Sequence, residues 1–305
     1  MNYTLHQLIL FLKITETKSI TRASEELNLT QPAVSIQLKN FQDQFDIPLT
    51  ETIGRQIYIT DFGYEIAESA KKILDELKLV NYKTQNYKGL LTGDINISVV
   101  STGKYIMPYF LTDFFEEHPQ INFKLDVTNR LQVLDDLQKN KIDFALVSVL
   151  PENLDVESIE LMENKLYFVG SNSIKKNDLN FDELQNYNLL FREQGSATRK
   201  AMENFLKKNK ISHQKTTELA SNEAIKQAVI AKLGISIMPI IGLKNELLNN
   251  ELKILNVKNL PSISTWYLIH LKNKSLSPAA EAYKQFISTN KTKVIQQQFH
   301  WITKF

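Results

Sequence analysis

From Tyr64 to Lys88 the chain contains neither glycine nor proline. Within that run Ile66, Ala70, Ile73, Leu77, Val80, Thr84 and Tyr87 follow one another four and three residues apart. This is a heptad seam over about three repeats, the pattern with which one helix lies along another. Glu65, Lys71, Lys72 and Glu76 flank it. A helix packed on its own domain would also carry an apolar stripe, but the seam's regularity favours pairing with a second copy. Gly89 and Gly93 break the helix and mark a hinge. A helix this long divides the chain. The residues before it carry the helical period, and those after it alternate between strand and helix periods. The expected division is 1–60, 61–90 and 91–305.

In the first segment Leu5, Leu8, Ile9 and Leu12 recur at helical spacing, with Phe11 beside them. Ser19 reads as an N-cap, and Ile20, Ala23, Ser24 and Leu27 form the inner face of a second helix that Asn28-Leu29 ends. Thr30 then caps a third helix, which tolerates Pro32 in its first turn because the amides there lack intrahelical partners. Val34, Leu38, Phe41 and Phe45 form its buried stripe, and Gln31, Ser35, Lys39 and Gln42 its polar face. Two short helices joined by a tight turn, the second with a hydrogen-bonding outer face, make a helix-turn-helix suited to the major groove of DNA. Gly54 and the alternating Ile57 and Ile59 read as a hairpin beside it, a wing lying over the phosphates.

Charge offers this module little help. Lys13, Lys18, Arg22, Lys39 and Arg55 face Glu16, Glu25, Glu26, Asp43, Asp46 and Glu51, a net of −1 over residues 1–60. Phosphate neutralisation supplies much of DNA affinity, so a pair of modules joined through the long helix offsets the poor charge of one. The whole chain carries 36 basic and 34 acidic residues, so it has no bulk basic field. There are no cysteines, which excludes disulfides, thiolate metal sites and a cysteine nucleophile.

Beyond Asp94 a βαβαβ rhythm implies a parallel, doubly wound sheet. Strands are expected at Ile95–Val99, Phe123–Val127 and 142–149, and helices at 104–117 and 131–139. The rhythm resumes with Leu166–Val169 and runs through Ile235–Met238, then a strand at 265–271 and a helix at 278–288. This describes two α/β lobes, lobe I at about 91–164 with 269–305 and lobe II at about 165–268, with a cleft between them. Ligands of open α/β sheets sit at strand carboxyl ends near helix N-termini. Ser101-Thr102, Thr128-Asn129-Arg130, Ser148, Gln194 through Arg199 and Ser221-Asn222 occupy such positions. Each serves equally well as an N-cap, but several converging on one cleft would hold a small anion.

These stretches carry a resemblance. Ser19-Ile-Thr-Arg-Ala-Ser24 followed by Leu29-Thr-Gln-Pro-Ala-Val-Ser35, then Gly54-Arg55 through Thr60 and Gly63, resembles the winged helix-turn-helix of LysR-type transcriptional regulators. Val99 through Tyr105, Arg192 through Arg199, Ser221 through Val229, Leu233 through Pro239, Trp266-Tyr267 and Leu276-Ser-Pro278 resemble the family's effector domain, which is similar to periplasmic binding proteins. The resemblance implies a winged helix-turn-helix and linker helix followed by a two-lobed α/β domain. It implies base-facing Gln31, Pro32 and Ser35 and a backbone-meeting Arg55. Arg22, Thr30 and Lys39 complete the expected DNA-contact set. It implies an effector pocket at Ser101, Thr102, Thr128, Ser196 and Thr198, to which the polar clusters add Asn129, Ser148 and Gln194. The Ser-Thr-Gly-Lys-Tyr and Thr-Asn-Arg stretches look closest to the branch regulating RuBisCO and inorganic-carbon operons. Ile36 and Thr52 stand where the family usually has arginines, Thr50 where phenylalanine is common, and Gln194 where proline is frequent. Residues 291–305 extend past the family's usual end, as either a covering helix or a frayed tail.

The expected partners are therefore double-stranded promoter DNA, a small anionic effector and further copies of the chain, a dimer through the linker and a tetramer beyond it. RNA polymerase is a candidate partner, and no cofactor or metal is expected. His6, His118, His213, His270 and His300 are scattered and fit no catalytic motif. His270 reads as a core residue and Asp135-Asp136 as a solvated helix face. No stretch approaches the ~20 apolar residues of a membrane span, and the apolar run from Leu8 to Leu12 is too short for a signal peptide, so a cytoplasmic protein is expected. The alternative is a small-molecule binding protein whose N-terminal bundle serves oligomerisation only.

Overall fold

The computed structural model describes residues 3–54, 56–87, 91–213 and 215–305, so Arg55 and Gly89 lie outside the described residues. The chain divides into two compact units, Met1–Leu90 and Leu91–Phe305.

The first unit opens with three helices, α1 (Leu5–Thr17), α2 (Ile20–Glu26) and α3 (Gln31–Gln42). Thr4 and Gln7 form a reciprocal capping box on α1, and Ser19 caps α2 by accepting from the Arg22 amide. Thr30 occupies the N-cap position of α3, but its hydroxyl makes no cap hydrogen bond. The buried arc of α1 is not the one its spacing suggested. Leu8, Leu10, Phe11 and Ile14 are buried, whereas Leu5 and Ile9 are exposed. The reason is that α1 is packed by α2, α3 and the long helix together. Val34, Leu38 and Phe41 are buried as expected; Phe45 lies past the end of α3 and is half-buried. Phe41 binds the unit together, with ring centroids 5.2 Å from Phe11 and 5.1 Å from Phe45, and Phe45 continues to Phe62 at 6.1 Å.

A hairpin follows, β1 (Thr50–Ile53) antiparallel to β2 (Gln56–Ile59), turning at Gly54 with φ +64. The long helix α4 spans Asp61–Tyr87. Its start is tied to the hairpin: the Thr60 hydroxyl accepts from the Gly63 amide at 2.9 Å and donates to the Pro48 carbonyl at 2.7 Å. A Cβ on Gly63 would sit 2.1 Å from the Leu49 carbonyl oxygen, so only glycine lets α4 pass this close to the chain entering β1.

The second unit begins with β3 (Gly93–Val100), α5 (Met107–Glu117), β4 (Ile121–Thr128), α6 (Arg130–Gln138) and β5 (Phe144–Val147). A single 3₁₀ turn at Gly103–Tyr105 precedes α5, which therefore starts later than the spacing suggested. Strands β6 (Val156–Ser171) and β7 (Asp178–Leu179), helix α7 (Phe181–Leu184), β8 (Leu189–Arg192), α8 (Ala197–Lys208), β9 (Thr216–Leu219) and α9 (Asn222–Ile230) follow. The chain then runs through β10 (Ser236–Pro239), α10 (Lys244–Leu248), β11 (Leu252–Val257), β12 (Ser262–Leu271) and α11 (Pro278–Phe299).

The sheet is mixed rather than parallel throughout. Its order is β4-β3-β5-β12-β6-β11-β7, with β10 also on β6. The strands β3, β4 and β5 pair in parallel, as do the short β7–β11 and β8–β9 pairs; β12, β6, β10 and β11 run antiparallel to their main neighbours. The rhythm of the first lobe does not continue, because the later strands return across the molecule. The sixteen-residue β6 pairs with β12 from Val156 to Leu166 and with β10 and β11 beyond that, and β6 and β12 both run from one lobe into the other.

The lobes' cores separate along these two strands. Leu161, Met162, Trp266 and Leu268 belong to the first core, with Phe110, Phe114, Phe144 and Tyr283; Leu166 and Phe168 belong to the second. The return strand thus enters lobe I by Trp266, earlier than the 268/269 boundary expected. Phe123 and Val127 lie on the edge strand β4 and are exposed. The C-terminal segment is no frayed tail. Val294, Phe299 and Ile302 are buried in the first core, and Phe299 lies 5.3 Å from the Tyr109 ring and 6.0 Å from Phe110.

Candidate functional site

The outer face of α3 is set by what its inner face buries. At 100° per residue, Pro32, Ile36 and Lys39 lie opposite the Val34–Leu38–Phe41 stripe, and all three are exposed, Ile36 by 58%. Gln31, Ser35 and Gln42 form the adjoining flank. Gln31 donates its amide to the Ser35 hydroxyl at 2.9 Å, and Gln42 accepts from Thr50 of the hairpin. The flank is thereby preset and fastened to the wing. Arg22 and Thr30 are exposed. Lys13 is not free to meet phosphate. Glu16 and Glu26 accept from it at 3.0 Å each and hold its pKa above the ordinary lysine value.

Helix α4 divides its seam between two uses. Ala67 and Ala70 are buried against the unit's own core, with Ile66 and Leu74 packed beside them. Ile73, Leu77 and Val80 are exposed, by 42%, 38% and 59%, and they continue the seam away from that core. Thr84 is exposed at the next seam position.

In the second unit a cleft of about 1120 Å³ lies between the lobes. Ser101, Thr102, Asn129 and Ser148 line it from lobe I, and Gln194, Ser196 and Thr198 from lobe II. Thr128 does not line it; it is the last residue of β4 and half-buried, and Asn129 takes the position at the rim. Asn129 accepts from the Gln132 amide at 2.9 Å and Ser196 from the Arg199 amide at 3.5 Å, so each caps its own helix. The N-termini of α6 and α8, one from each lobe, therefore meet at one cleft. Their first amides have no intrahelical partner, and their dipoles favour negative charge.

Cationic side chains surround these termini, in unequal states. Arg192 is buried and held by Glu193 through two bonds of 2.7 Å. Arg199 is shared between Glu203 and Glu218, at 2.7 and 2.5 Å, and donates to the Arg192 carbonyl at 2.8 Å. Arg130, at the start of α6, lines the cleft with its Nε buried and unpartnered. Hydrogen bonds cross between the lobes beside the cleft, among them Asn222 Nδ2 to Ser101 Oγ at 2.9 Å and Tyr105 Oη to Glu223 at 3.2 Å. Burial pushes the Tyr105 hydroxyl up to about 12, so it remains a donor.

Several lining residues were not singled out in the sequence. Arg130 and Arg192 belong to quoted stretches, so their signal was present. Asn164 and Ser264 also line the cleft, but a hundred residues separate them and only the β6–β12 register brings them together. Among the described residues no cluster of His, Asp and Glu is arranged to hold a metal ion, and no helix is long and apolar enough to cross a membrane.

Residues 5–64 match the family described as "Bacterial regulatory helix-turn-helix protein, lysR family", and residues 88–291 match "LysR substrate binding domain". The chain belongs to the LysR family of transcriptional regulators. This LysR-family chain is 37% identical over 289 residues to the HTH-type transcriptional activator CmpR of a Synechocystis species, covering 94% of the chain and 95% of that protein. It is 33% identical over 290 residues to the RuBisCO operon transcriptional regulator of Allochromatium vinosum, covering 94% and 96%. Its second unit resembles the regulatory domain of Synechocystis CcmR, solved in complex with 2-PG, with a TM-score of 0.62 and 30% identity over 66% of this chain and 98% of that one. The expected branch is the one found. The chain is a DNA-binding regulator with an effector-binding domain, and a bundle serving oligomerisation only is not favoured. The family match ends at residue 291, within α11.

Proposed function

We propose that this LysR-family regulator binds promoter DNA as a dimer of winged modules and responds to a small anion held between its effector lobes. The observation that carries the effector class is the meeting of the α6 and α8 N-termini at one cleft, beside Arg130 with its unpartnered Nε. Ser101, Thr102, Asn129, Ser148, Gln194, Ser196 and Thr198 are its proposed ligand-binding residues. Gln31, Pro32 and Ser35 are the proposed base readers, with Arg22, Thr30, Lys39 and Arg55 on the backbone. The exposed Ile73–Leu77–Val80 seam supports pairing through α4, and a tetramer of two such pairs is the proposed assembly. RNA polymerase is the proposed downstream partner, and the cytoplasm, where bacterial promoters reside, the proposed location. No catalytic role is assigned.

An effector that prefers one arrangement of the lobes biases the assembly, and with it the geometry bound to DNA. The test is binding of the full-length protein to DNA upstream of its own gene across a salt series, with and without 2-PG, the ligand of the CcmR domain, as first probe. The expected result is sequence-dependent binding with a steep salt slope, altered by the anion in wild type. In the Ser101→Ala/Thr198→Ala variant the anion has no effect while DNA affinity is retained. A variant that still responds overturns the pocket assignment.

A further inference from the structure

We infer that Ile36 reads the C5-methyl group of a thymine in the major groove, so that each DNA half-site carries a thymine at one fixed place. The inference rests on α3 being the base-facing helix and names a base that it selects.

On the helical wheel Ile36 lies almost directly opposite the buried Val34–Leu38–Phe41 stripe. It is 58% exposed, and among the described residues it is not packed against the unit's core. Pro32, one turn earlier on the same face, is exposed too. The outermost strip of the first turns of α3 is therefore apolar, with Gln31 and Ser35 along one side of it. Further along that face stand Lys39 and then Asp43, both exposed. Phosphates repel an aspartate, so the Pro32–Ile36 end is the one that enters the groove, as the N-terminal residues of a recognition helix do. Single apolar residues are common on protein surfaces. This one sits at the apex of a helix whose flank is fastened to the hairpin by the bond between Gln42 and Thr50. Its branched Cβ also leaves one strongly preferred χ1 in a helix, so seating it against a base costs little rotamer freedom.

The chemistry of the groove selects the base. Guanine presents acceptors there, cytosine a donor and adenine both, whereas thymine alone presents a methyl group. An isoleucine laid over any of the first three strips water from a polar edge and leaves it unpaired. Over thymine it covers apolar surface instead. Ile36 therefore exchanges the charge that an arginine would bring here for the selection of one base. Isoleucine stops at the base edge, whereas the longer side chain of Ile36→Arg would continue to the phosphates.

Uracil is thymine without the methyl group, which makes it the probe. The full-length protein is titrated by fluorescence anisotropy against the DNA upstream of its own gene, made once with thymine and once with uracil throughout. Wild type is expected to bind the uracil fragment about fourfold more weakly for each half-site, and so about tenfold or more for a dimer on two. Ile36→Ala changes an exposed side chain and leaves the core alone, and in it the penalty is expected to fall below about threefold. Any change that uracil makes in DNA stiffness is common to both proteins and cancels. Single-uracil interference with wild type is expected to find one sensitive thymine in each half-site, which becomes insensitive in Ile36→Ala. Sequence-dependent binding with no uracil penalty overturns the Ile36 contact and leaves α3 as the base reader. An undiminished penalty in Ile36→Ala also overturns the contact. Binding that does not distinguish the promoter fragment from unrelated DNA overturns base reading by α3, and this inference with it.

Discussion

Asn222, the first residue of α9 in the second lobe, donates its side-chain amide to Ser101 of the first lobe at 2.9 Å. Asn222 is buried, and Ser101 is a proposed effector contact. An anionic effector accepting from the Ser101 hydroxyl therefore uses a group whose oxygen the interlobe bond already orients. Replacing Asn222 by alanine removes about 1 kcal/mol from the unliganded arrangement. Amide hydrogen exchange around Ser101–Tyr105 and the start of α9 is expected to quicken roughly fivefold. Unchanged exchange there would mean that the bond does not restrain the lobes.

Ile36 stands exposed on α3 between Pro32 and Lys39. An isoleucine there neutralises no phosphate, and residues 1–60 are already net acidic. Ile36→Arg is expected to tighten DNA binding and to steepen the slope of log affinity against log salt by about one. Fluorescence anisotropy with one promoter fragment across salt concentrations measures both. An unaltered slope would place residue 36 away from the phosphates.

What could be read from the sequence follows the range of the interactions involved. Ser19, Asn129, Ser196 and Ser221 were legible as caps because a cap depends on residues three apart. The βαβαβ lobe was legible because each parallel strand there follows the previous one through a single helix. Leu5 and Ile9 are exposed against expectation because periodicity reports an amphipathic face, and α1 is packed from more than one side. The antiparallel return of β12 onto β6 and β5 leaves no local trace, so the hinge residues Asn164 and Ser264 were invisible. Thr128 was placed in the pocket by resemblance, whereas the strand end turns it off the lining and brings Asn129 in.

The α4 seam predicts the behaviour of two exposed residues. Leu77 and Val80 are exposed in the single chain, so their replacement costs the unit's own core nothing. Leu77→Asp with Val80→Asp is expected to shift the sedimentation profile towards monomer at low micromolar concentration. The melting of the N-terminal unit should move little, within about 0.5 kcal/mol for exposed sites. A dimer that survives both substitutions would show that copies pair elsewhere.

The segment past residue 291 lies outside the family match but inside the first lobe's core. Phe299 is 3% exposed and stacks on Phe110. Phe299→Ala is expected to cost about 3–5 kcal/mol of stability by opening a cavity there. Chemical denaturation followed in the effector domain measures the loss. A change under about 1 kcal/mol would mean that the segment merely rests on the lobe.

Lys226 gives a pH dependence with a defined sign. It is buried on α9 between Glu246, at 2.7 Å, and Glu223, at 3.0 Å. Burial opposes its charge, but the bonds to Glu246 and Glu223 outweigh burial and leave its pKa above the ordinary lysine value. Burial likewise opposes the charge of Glu223, and the bonds from Lys226, Gln227 and Tyr105 carry its pKa below the usual carboxylate value. A raised lysine stabilises the fold below its unfolded pKa and loses that contribution as pH rises through the folded value. A lowered carboxylate stabilises above its unfolded pKa and loses it as pH falls through the folded value. Lys226→Met is therefore expected to cost about 3 kcal/mol near neutral pH, most of it through Glu246, because Glu223 is half exposed and screened by solvent. The gap between variant and wild type should narrow below about pH 4 and above about pH 11. Stability measured by denaturant titration from about pH 3 to about pH 12 checks this, and a gap that does not vary with pH would assign the effect of Lys226 to packing alone.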